Sequence, residues 1–140
     1  MSYLGAVNLI KSIAETVNPT GVFQHGRRWG ASLNFGESNK QIYLYPILAN
    51  VDLTNHYFES WNIAMGFYFQ DAPDSTELEM QGLIAQADVM VTEFLNILNE
   101  TEGIELSNAR KEPSYRQMAG TYTGYTLGFT LNTTTDLCAL

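Results

Sequence analysis

Four acidic side chains surround one proline turn, and this turn is where the chain most resembles a site for chemistry. They are Asp71, Asp74, Glu77 and Glu79, within the segment DAPDSTELE. A calcium loop needs oxygen ligands at fixed alternate positions and a central glycine, and this segment has neither. Asp74 with Glu77, or Thr76 with Glu79, instead matches a capping box, in which a side-chain oxygen accepts an unpaired backbone N–H at a helix start. We predict a helix cap here, with Asp74 and Glu77 as the first choice.

The other residue types that support metal binding or catalysis are isolated. His25 and His56 fall on different predicted strands, with no further His or Cys at ligand spacing, whereas zinc needs three or four such ligands. The single cysteine, Cys138, lies two residues from the end of the sequence, where no scaffold would position a nucleophile. Phosphate-binding, dinucleotide-binding and nucleophile-elbow motifs are missing. We expect no catalytic residue, no metal and no cofactor.

Two short basic segments have the composition of a protein interface. Arginine, tryptophan and tyrosine dominate the energetic hot spots of protein–protein contacts, and both GRRWG and NARKEPSYRQ combine them. The alternative is that both are solvated loops. The predicted subunit or partner contacts are Arg27, Arg28, Trp29, Arg110, Lys111, Tyr115 and Arg116.

Charge bounds the partners of the chain. It has 140 residues, a size that buries about two thirds of its unfolded surface in one domain, here predicted to span 1–140. Seven basic against fifteen acidic residues give a net charge of −8, which disfavours nucleic acid and anionic lipid. The segment 71–105 contains no base, so we expect an electrically lopsided molecule. No apolar run approaches the ~20 residues of a membrane helix and no signal peptide is recognisable, so we expect a soluble protein folding in a reducing cytoplasm.

Hydrophobic periodicity defines two helices. Residues 4–17 place apolar side chains on one face at helical spacing and stop at Asn18-Pro19. From about Thr76 to Leu98 an apolar stripe recurs every three or four residues, which predicts a long amphipathic helix.

Alternation and turn residues define the strands. GVFQHG, WGASLNF and KQIYLYP are predicted strands, with a hairpin across Gly36 to Asn39. The chain is then extended from Val51, with a bend expected near Glu59-Ser60, before the alternating stretch WNIAMGFYFQ. IELSN is a short candidate strand, ARKEPSYRQMAG a polar loop, and TYTGYTLGFTLNTT a final strand in which Gly120, Gly124 and Gly128 share one face and leave a groove.

This order of elements predicts an α+β domain, with an N-terminal helix and one long helix packed on one face of a mainly antiparallel sheet. The N-terminal helix, the hairpin, the strand WNIAMGFYFQD, the acidic-capped helix and the closing strand TGYTLGFTLN resemble the tail-terminator, tail-completion and head-to-tail ring proteins of the tailed-bacteriophage neck. The resemblance covers most of the chain in element order, and no short motif carries it.

The resemblance implies a virion structural protein that closes into a sixfold or twelvefold ring on the neck axis and is assembled in the host cytoplasm. Its partners would be other copies of itself, the portal or adaptor, and the tail-tube or other neck proteins, without catalysis or membrane contact. Genomic DNA would pass through without specific binding, which an acidic lumen favours. The alternatives are a small-ligand-binding α+β domain or enzyme using the face of Gly120, Gly124 and Gly128, and a cytosolic adaptor that dimerises through its sheet edge.

Overall fold

Two helices and six strands make up the part of the chain that the computed structural model describes, residues 2–26, 40–52, 58–71, 74–116 and 122–133. The helices are α1 (Tyr3–Val17) and α2 (Glu77–Asn99). The strands are β1 (Val22–His25), β2 (Lys40–Leu44), β3 (Leu48–Asp52), β4 (Phe58–Gln70), β5 (Ile104–Arg116) and β6 (Tyr122–Thr133). The predicted strand WGASLNF, the Gly36 to Asn39 hairpin, His56, Gly120 and Cys138 lie outside the described residues.

The strands form one sheet in the order β1-β2-β4-β6-β5, and β3 also pairs with β4. β6 pairs with β4 over eleven residues, so β2 and β3 share the other edge of β4 end to end. Every pairing is antiparallel except that of β1 with β2. The predicted α+β fold, with a mainly antiparallel sheet, an N-terminal helix and one long helix, is confirmed.

One face of the sheet forms an apolar core with both helices, as the alternation of β4 and β6 predicts. Trp61, Ile63, Met65, Phe67 and Phe69 are buried in β4, and the register sets Leu131, Phe129, Leu127 and Tyr125 opposite the first four. We call this side the helix face. Its buried side chains join those of α1 and α2 in one continuous cluster.

Phe94 of α2 lies at the centre of this core. Its side chain is fully buried, with its ring centroid 5.5 Å from that of Phe67 in an edge-on arrangement and 6.3 Å from that of Phe129. Edge-to-face aromatic pairs at such distances add to the stabilisation that comes from burying area. The periodicity of α2 therefore seats this helix on β4 and β6.

The four acids of the proline turn have separate structural roles. α2 begins at Glu77, and its capping box joins Thr76 to Glu79 rather than Asp74 to Glu77, because Thr76 is the residue whose extended backbone immediately precedes the first helical turn. Asp74 lies exposed before the cap. Asp71 is buried at the end of β4, where it accepts a hydrogen bond of 2.8 Å from the Thr123 hydroxyl of β6.

Two irregularities shape the sheet, and neither lies at the predicted bend. Pairing continues through Glu59 and Ser60. One irregularity lies between β2 and β3. Leu44 pairs with Met65 and Leu48 with Asn62, so this interval contains one residue more than the stretch of β4 opposite it. Pro46 lies in the interval and has no N–H to donate. A second bulge interrupts β5 between Ser107 and Arg110, where Asn108 has a φ of 56°.

The segment predicted as the loop ARKEPSYRQMAG is largely strand. Ile104 to Arg116 form one edge strand of thirteen residues, so the predicted short strand IELSN continues through the bulge. An edge strand tolerates the charges and the proline that made this segment resemble a loop, because one side of it faces solvent. The basic residues are therefore held on a regular sheet edge.

Candidate functional site

The face of the sheet opposite the helices carries a second cluster, built from tyrosines. Tyr43, Tyr68 and Tyr122 are each at most 2% exposed, and Tyr45 packs against them half-buried. The register places Tyr43 opposite Gly66, Tyr68 opposite Gly124, and Tyr122 opposite Gln70, all pointing away from the helix face. We call this side the tyrosine face.

The geometry of the tyrosine face depends on a glycine and on one hydroxyl pair. The Tyr68 ring lies over Gly66 so closely that a Cβ at Gly66 would be 2.1 Å from it. The hydroxyls of Tyr45 and Tyr68 are 3.1 Å apart and hydrogen-bonded, and the rings of Tyr43 and Tyr45 are 4.9 Å apart. The rings thus form a fixed wall whose polar atoms meet at Tyr45 and Tyr68.

Burial keeps two of these hydroxyls neutral. It raises the pKa of Tyr43 above the ordinary value, and the neighbouring Tyr45 raises that pKa further. Burial also raises the pKa of Tyr122, an effect that the Gln41 side chain partly opposes. Neither phenol is therefore suited to act as a base near neutral pH.

A depression of about 420 Å³ opens beside this wall. Its volume is within the range of small-molecule clefts. Gly128 lines it, and a Cβ added there would meet only the Ile63 carbonyl oxygen, at 3.9 Å. Among the described residues, the lining consists of Tyr45, Ala64, Met65, Tyr68, Arg110, Glu112, Thr126, Leu127 and Gly128.

The predicted glycine groove is therefore present only in part. Gly128 lines the depression, but Gly124 is pressed against the neighbouring backbone, where an added Cβ would be 1.9 Å from the Phe67 carbonyl oxygen. Gly124 thus makes room for β4, not for a partner.

Arg110 and Glu112 set the charge at the rim of the depression. They lie two residues apart on the same side of β5, both exposed, in register with Gly128 and Thr126. Neither makes an ion pair with any part of the chain that the structure describes. The Thr126 hydroxyl donates to the Glu112 carbonyl oxygen at 3.4 Å, which leaves the carboxylate available.

The other predicted contact residues separate from Arg110. Lys111 points to the helix face, where it forms an ion pair with Asp88 of α2 and lies 5.6 Å from the Tyr125 ring centroid. Tyr115 is 43% exposed, and Arg116 ends β5. The predicted contacts Arg27, Arg28 and Trp29 lie outside the described residues. Of the predicted contacts that the structure describes, Arg110 is the one that lines the depression.

The solvent side of α2 carries an uncharged stripe flanked by acids. Its members are exposed and recur at helical spacing; they are Leu78, Gly82, Ala85, Val89, Thr92 and Asn96. Leu78 is 78% exposed and directly flanked by Glu77 and Glu79. An apolar side chain thus projects from an acidic helix end, on the side of the subunit opposite the tyrosine face.

Of the two histidines considered as metal ligands, the structure describes His25. The Nδ1 of His25 donates to the Leu44 carbonyl oxygen at 2.8 Å, because that oxygen can only accept, and its Nε2 lies 2.9 Å from the Tyr3 hydroxyl. His25 thus links α1, β1 and β2. Within the described ranges, no three acidic, histidine or cysteine side chains converge as a metal site. Neither helix of the described chain is long and apolar enough to cross a membrane.

The sequence signal for this site was weak. The tyrosines of KQIYLYP and WNIAMGFYFQ are typical of any half-buried strand, so no local pattern marks them as part of a site. Joining them to Arg110 requires the strand order β2-β4-β6-β5, which no local pattern contains. No known protein family and no curated protein matches this chain at a significant level.

Proposed function

We propose that the chain is the subunit of a closed ring of identical copies, and that this ring is a structural component of the neck or tail of a tailed bacteriophage. One observation carries the proposal: the subunit has two unlike surfaces on opposite sides, the acid-flanked stripe of α2 and the depression of the tyrosine face. Two different patches in head-to-tail contact are what a ring needs, since a twofold dimer uses one patch twice.

The charges of these surfaces support contact between copies. Glu77 and Glu79 flank Leu78 on α2, while Arg110 stands at the rim of the depression without an ion pair in the described part of the chain. Two copies of the α2 surface would repel each other, whereas α2 of one copy and Arg110 of the next attract. This difference favours a head-to-tail contact over a twofold one.

The phage part of the proposal rests on the order and character of the elements. The order of an N-terminal helix, the long strand β4, the Thr76-capped helix α2 and the strand β6 resembles that of neck and tail-end ring proteins. In this role the chain catalyses nothing, and its net charge of −8 lets DNA pass through the lumen without being held. The neighbours would be the portal or adaptor and the tail tube.

Electron microscopy of the purified chain, with light scattering across a concentration series, tests the ring. We expect closed rings of one size at high concentration, and binding of those rings to portal, adaptor or tail-tube protein in a pull-down. A monodisperse monomer that assembles with none of these proteins contradicts the proposal. Open filaments without closure contradict the ring but retain the head-to-tail contact.

A second candidate function is the binding of a small ligand, favoured by the same depression. The Tyr45 and Tyr68 hydroxyls, the Arg110 guanidinium and the Glu112 carboxylate surround one opening of about 420 Å³. A ligand with both a carboxylate and an amine would match those rim charges. Amide chemical shifts of the monomeric chain, titrated with a set of free amino acids, test it: saturable shifts confined to these residues favour a ligand, and their absence favours the ring.

Dimerisation through the β5 edge of the sheet is disfavoured by the sequence of that strand. This edge strand contains Pro113, which cannot donate a ladder hydrogen bond, the charged Arg110 and Lys111, and the bulge at Asn108. These are the features by which natural sheet edges avoid pairing with other chains.

A further inference from the structure

We propose that Leu78 of one copy inserts into the tyrosine-face depression of the next copy, with Glu77 beside Arg110 at the rim. This inference rests on the proposed ring and identifies the contact that builds it. Both halves are present on a single chain, on opposite sides of the sheet, so each copy offers one Leu78 and one depression. Repetition of the contact then propagates from copy to copy.

Shape supports this pairing. Leu78 is the second residue of α2 and is 78% exposed, so it projects from the end of a helix and not from within a flat surface. The depression is open and partly apolar, with Ala64 and Gly128 contributing no bulk. The end of a helix about 10 Å wide fits an open depression of this kind and would not fit an enclosed cavity.

The charges determine how the two copies are aligned in this contact. The Glu79 carboxylate is engaged by Thr76 in the capping box, whereas Glu77 is exposed at the first helical position. Glu77 is therefore the acid free to meet the Arg110 guanidinium when Leu78 is inserted. Burying such a pair between copies strengthens the Coulomb attraction at a desolvation cost, and it makes loss of either charge unfavourable because the other is left unpaired. Glu112, the other charged residue of the rim, would repel an acid of the next copy placed beside it, so Glu77 is expected at the Arg110 side of the rim.

The test uses two variants that each remove one half of the contact. Leu78→Asp removes the inserted side chain, and Gly128→Leu fills the depression at a position where an added Cβ meets no close atom. We expect each variant alone to be monomeric, with its self-association weakened more than about tenfold. Mixed in equal amounts, they should form a heterodimer that grows no further, because only one contact is complete.

The matched control is Leu4→Asp. Leu4 is the second residue of α1 and is 66% exposed, so it repeats the position and the exposure of Leu78 on the other helix. We expect this variant to assemble like the wild type. Circular dichroism and the unfolding midpoint of every variant establish that each remains folded, and the heterodimer of the mixture shows the same for both test variants.

Charge reversal tests the Glu77–Arg110 pair separately. Glu77→Arg and Arg110→Glu should each weaken assembly about tenfold or more, and the two together in one chain should restore most of it, because the pair is rebuilt in reverse. Glu93→Arg, another exposed acid of α2, should change assembly little.

The outcomes separate this contact from the ring itself. Wild-type rings that persist in both Leu78→Asp and Gly128→Leu overturn the contact and leave the ring proposal standing. Monomeric variants that fail to form a heterodimer, or charge reversals that do not rescue each other, also overturn it. A wild-type chain that stays monomeric under all conditions overturns both proposals.

Discussion

The two faces of the sheet are built from the same strands in the same register, yet they bury different chemistry. Along β4 the buried side chains on the helix face are large and apolar. The other face carries Tyr68 together with small or polar residues. The helix face is covered by two helices of the same chain. The tyrosine face combines buried rings with hydroxyls, an open depression and an exposed arginine.

The two faces therefore have different roles. The helix face stabilises the fold, and the tyrosine face carries the open depression that is available for contact. A cluster that is almost entirely apolar gains its free energy from burial and packing, and its polar atoms, such as the Trp61 indole nitrogen, are buried beneath the helices. The tyrosine cluster also buries its rings, but each ring end carries a hydroxyl, and tyrosine is enriched in interfaces. Substitutions on the two faces should therefore differ in kind as well as in size.

The largest expected effect is on the helix face. Phe94→Ala removes a fully buried ring between Phe67 and Phe129 and should lower the free energy of unfolding by about 3 to 5 kcal/mol. Urea unfolding followed by circular dichroism measures it, with the exposed Val89→Ala as control, expected within about 0.5 kcal/mol of wild type. A loss below about 1 kcal/mol would show that this core repacks freely.

A matched pair of glycines sharpens the comparison within the tyrosine face. Gly124→Ala forces a methyl against the Phe67 carbonyl oxygen and should cost about 2 to 3 kcal/mol, because backbone must move. Gly128→Ala, four residues along the same strand, should change stability by no more than about 0.5 kcal/mol. Thermal and urea unfolding of both variants check this, and equal losses would mean that the Gly128 site is not open space.

Removing the cap of α2, in the helix layer, should cause a smaller loss of stability. Thr76→Ala removes the side chain that accepts the Glu79 N–H at 3.2 Å and should cost about 1 kcal/mol. Asp74→Ala removes an exposed carboxylate outside the capping box and should cost less than about 0.5 kcal/mol. The reverse order of the two losses would restore the sequence-based prediction that Asp74 caps this helix.

The smallest effect near neutral pH concerns the buried phenols. Because the folded-state pKa of Tyr43 and Tyr122 is raised, their contribution to stability is fully present below the unfolded value of about 10. Above it the unfolded chain loses protons that the folded chain retains, so stability should fall as pH rises. Urea unfolding at about pH 9 and about pH 11 measures the fall, which Tyr43→Phe should reduce. An unchanged fall in Tyr43→Phe would assign it to other groups.

The sequence predicts best where one face of an element must be apolar. The bounds of α2 and β6 agree with the predicted ones within about a residue, because a long amphipathic period or a strict alternation has few alternatives. β5 was missed in its second half because Lys111, Pro113 and Glu112 are typical of loops, and an exposed sheet edge accepts them equally well.

The sequence predicted Arg110 and Gly128 of the candidate site. Its other parts come from the end of β2, from β4 and from further residues of β5 and β6, so the site depends on which strands become neighbours. That choice is fixed by packing of the whole chain, not by any local segment. The ion pair of Lys111 with Asp88 illustrates the same limit, because a residue predicted to contact a partner is engaged within the subunit.

The position of β6 has a consequence for how this chain folds. β6 is the last of the described strands, yet it lies inside the sheet between β4 and β5, and it joins residues far apart in sequence, such as Asn62 and Thr130, a separation of 68 residues. While the chain is being synthesised, β4 and β5 must wait for β6 before either gains that neighbour. We therefore expect folding to be slow, since closing such long loops precedes the contacts that stabilise them.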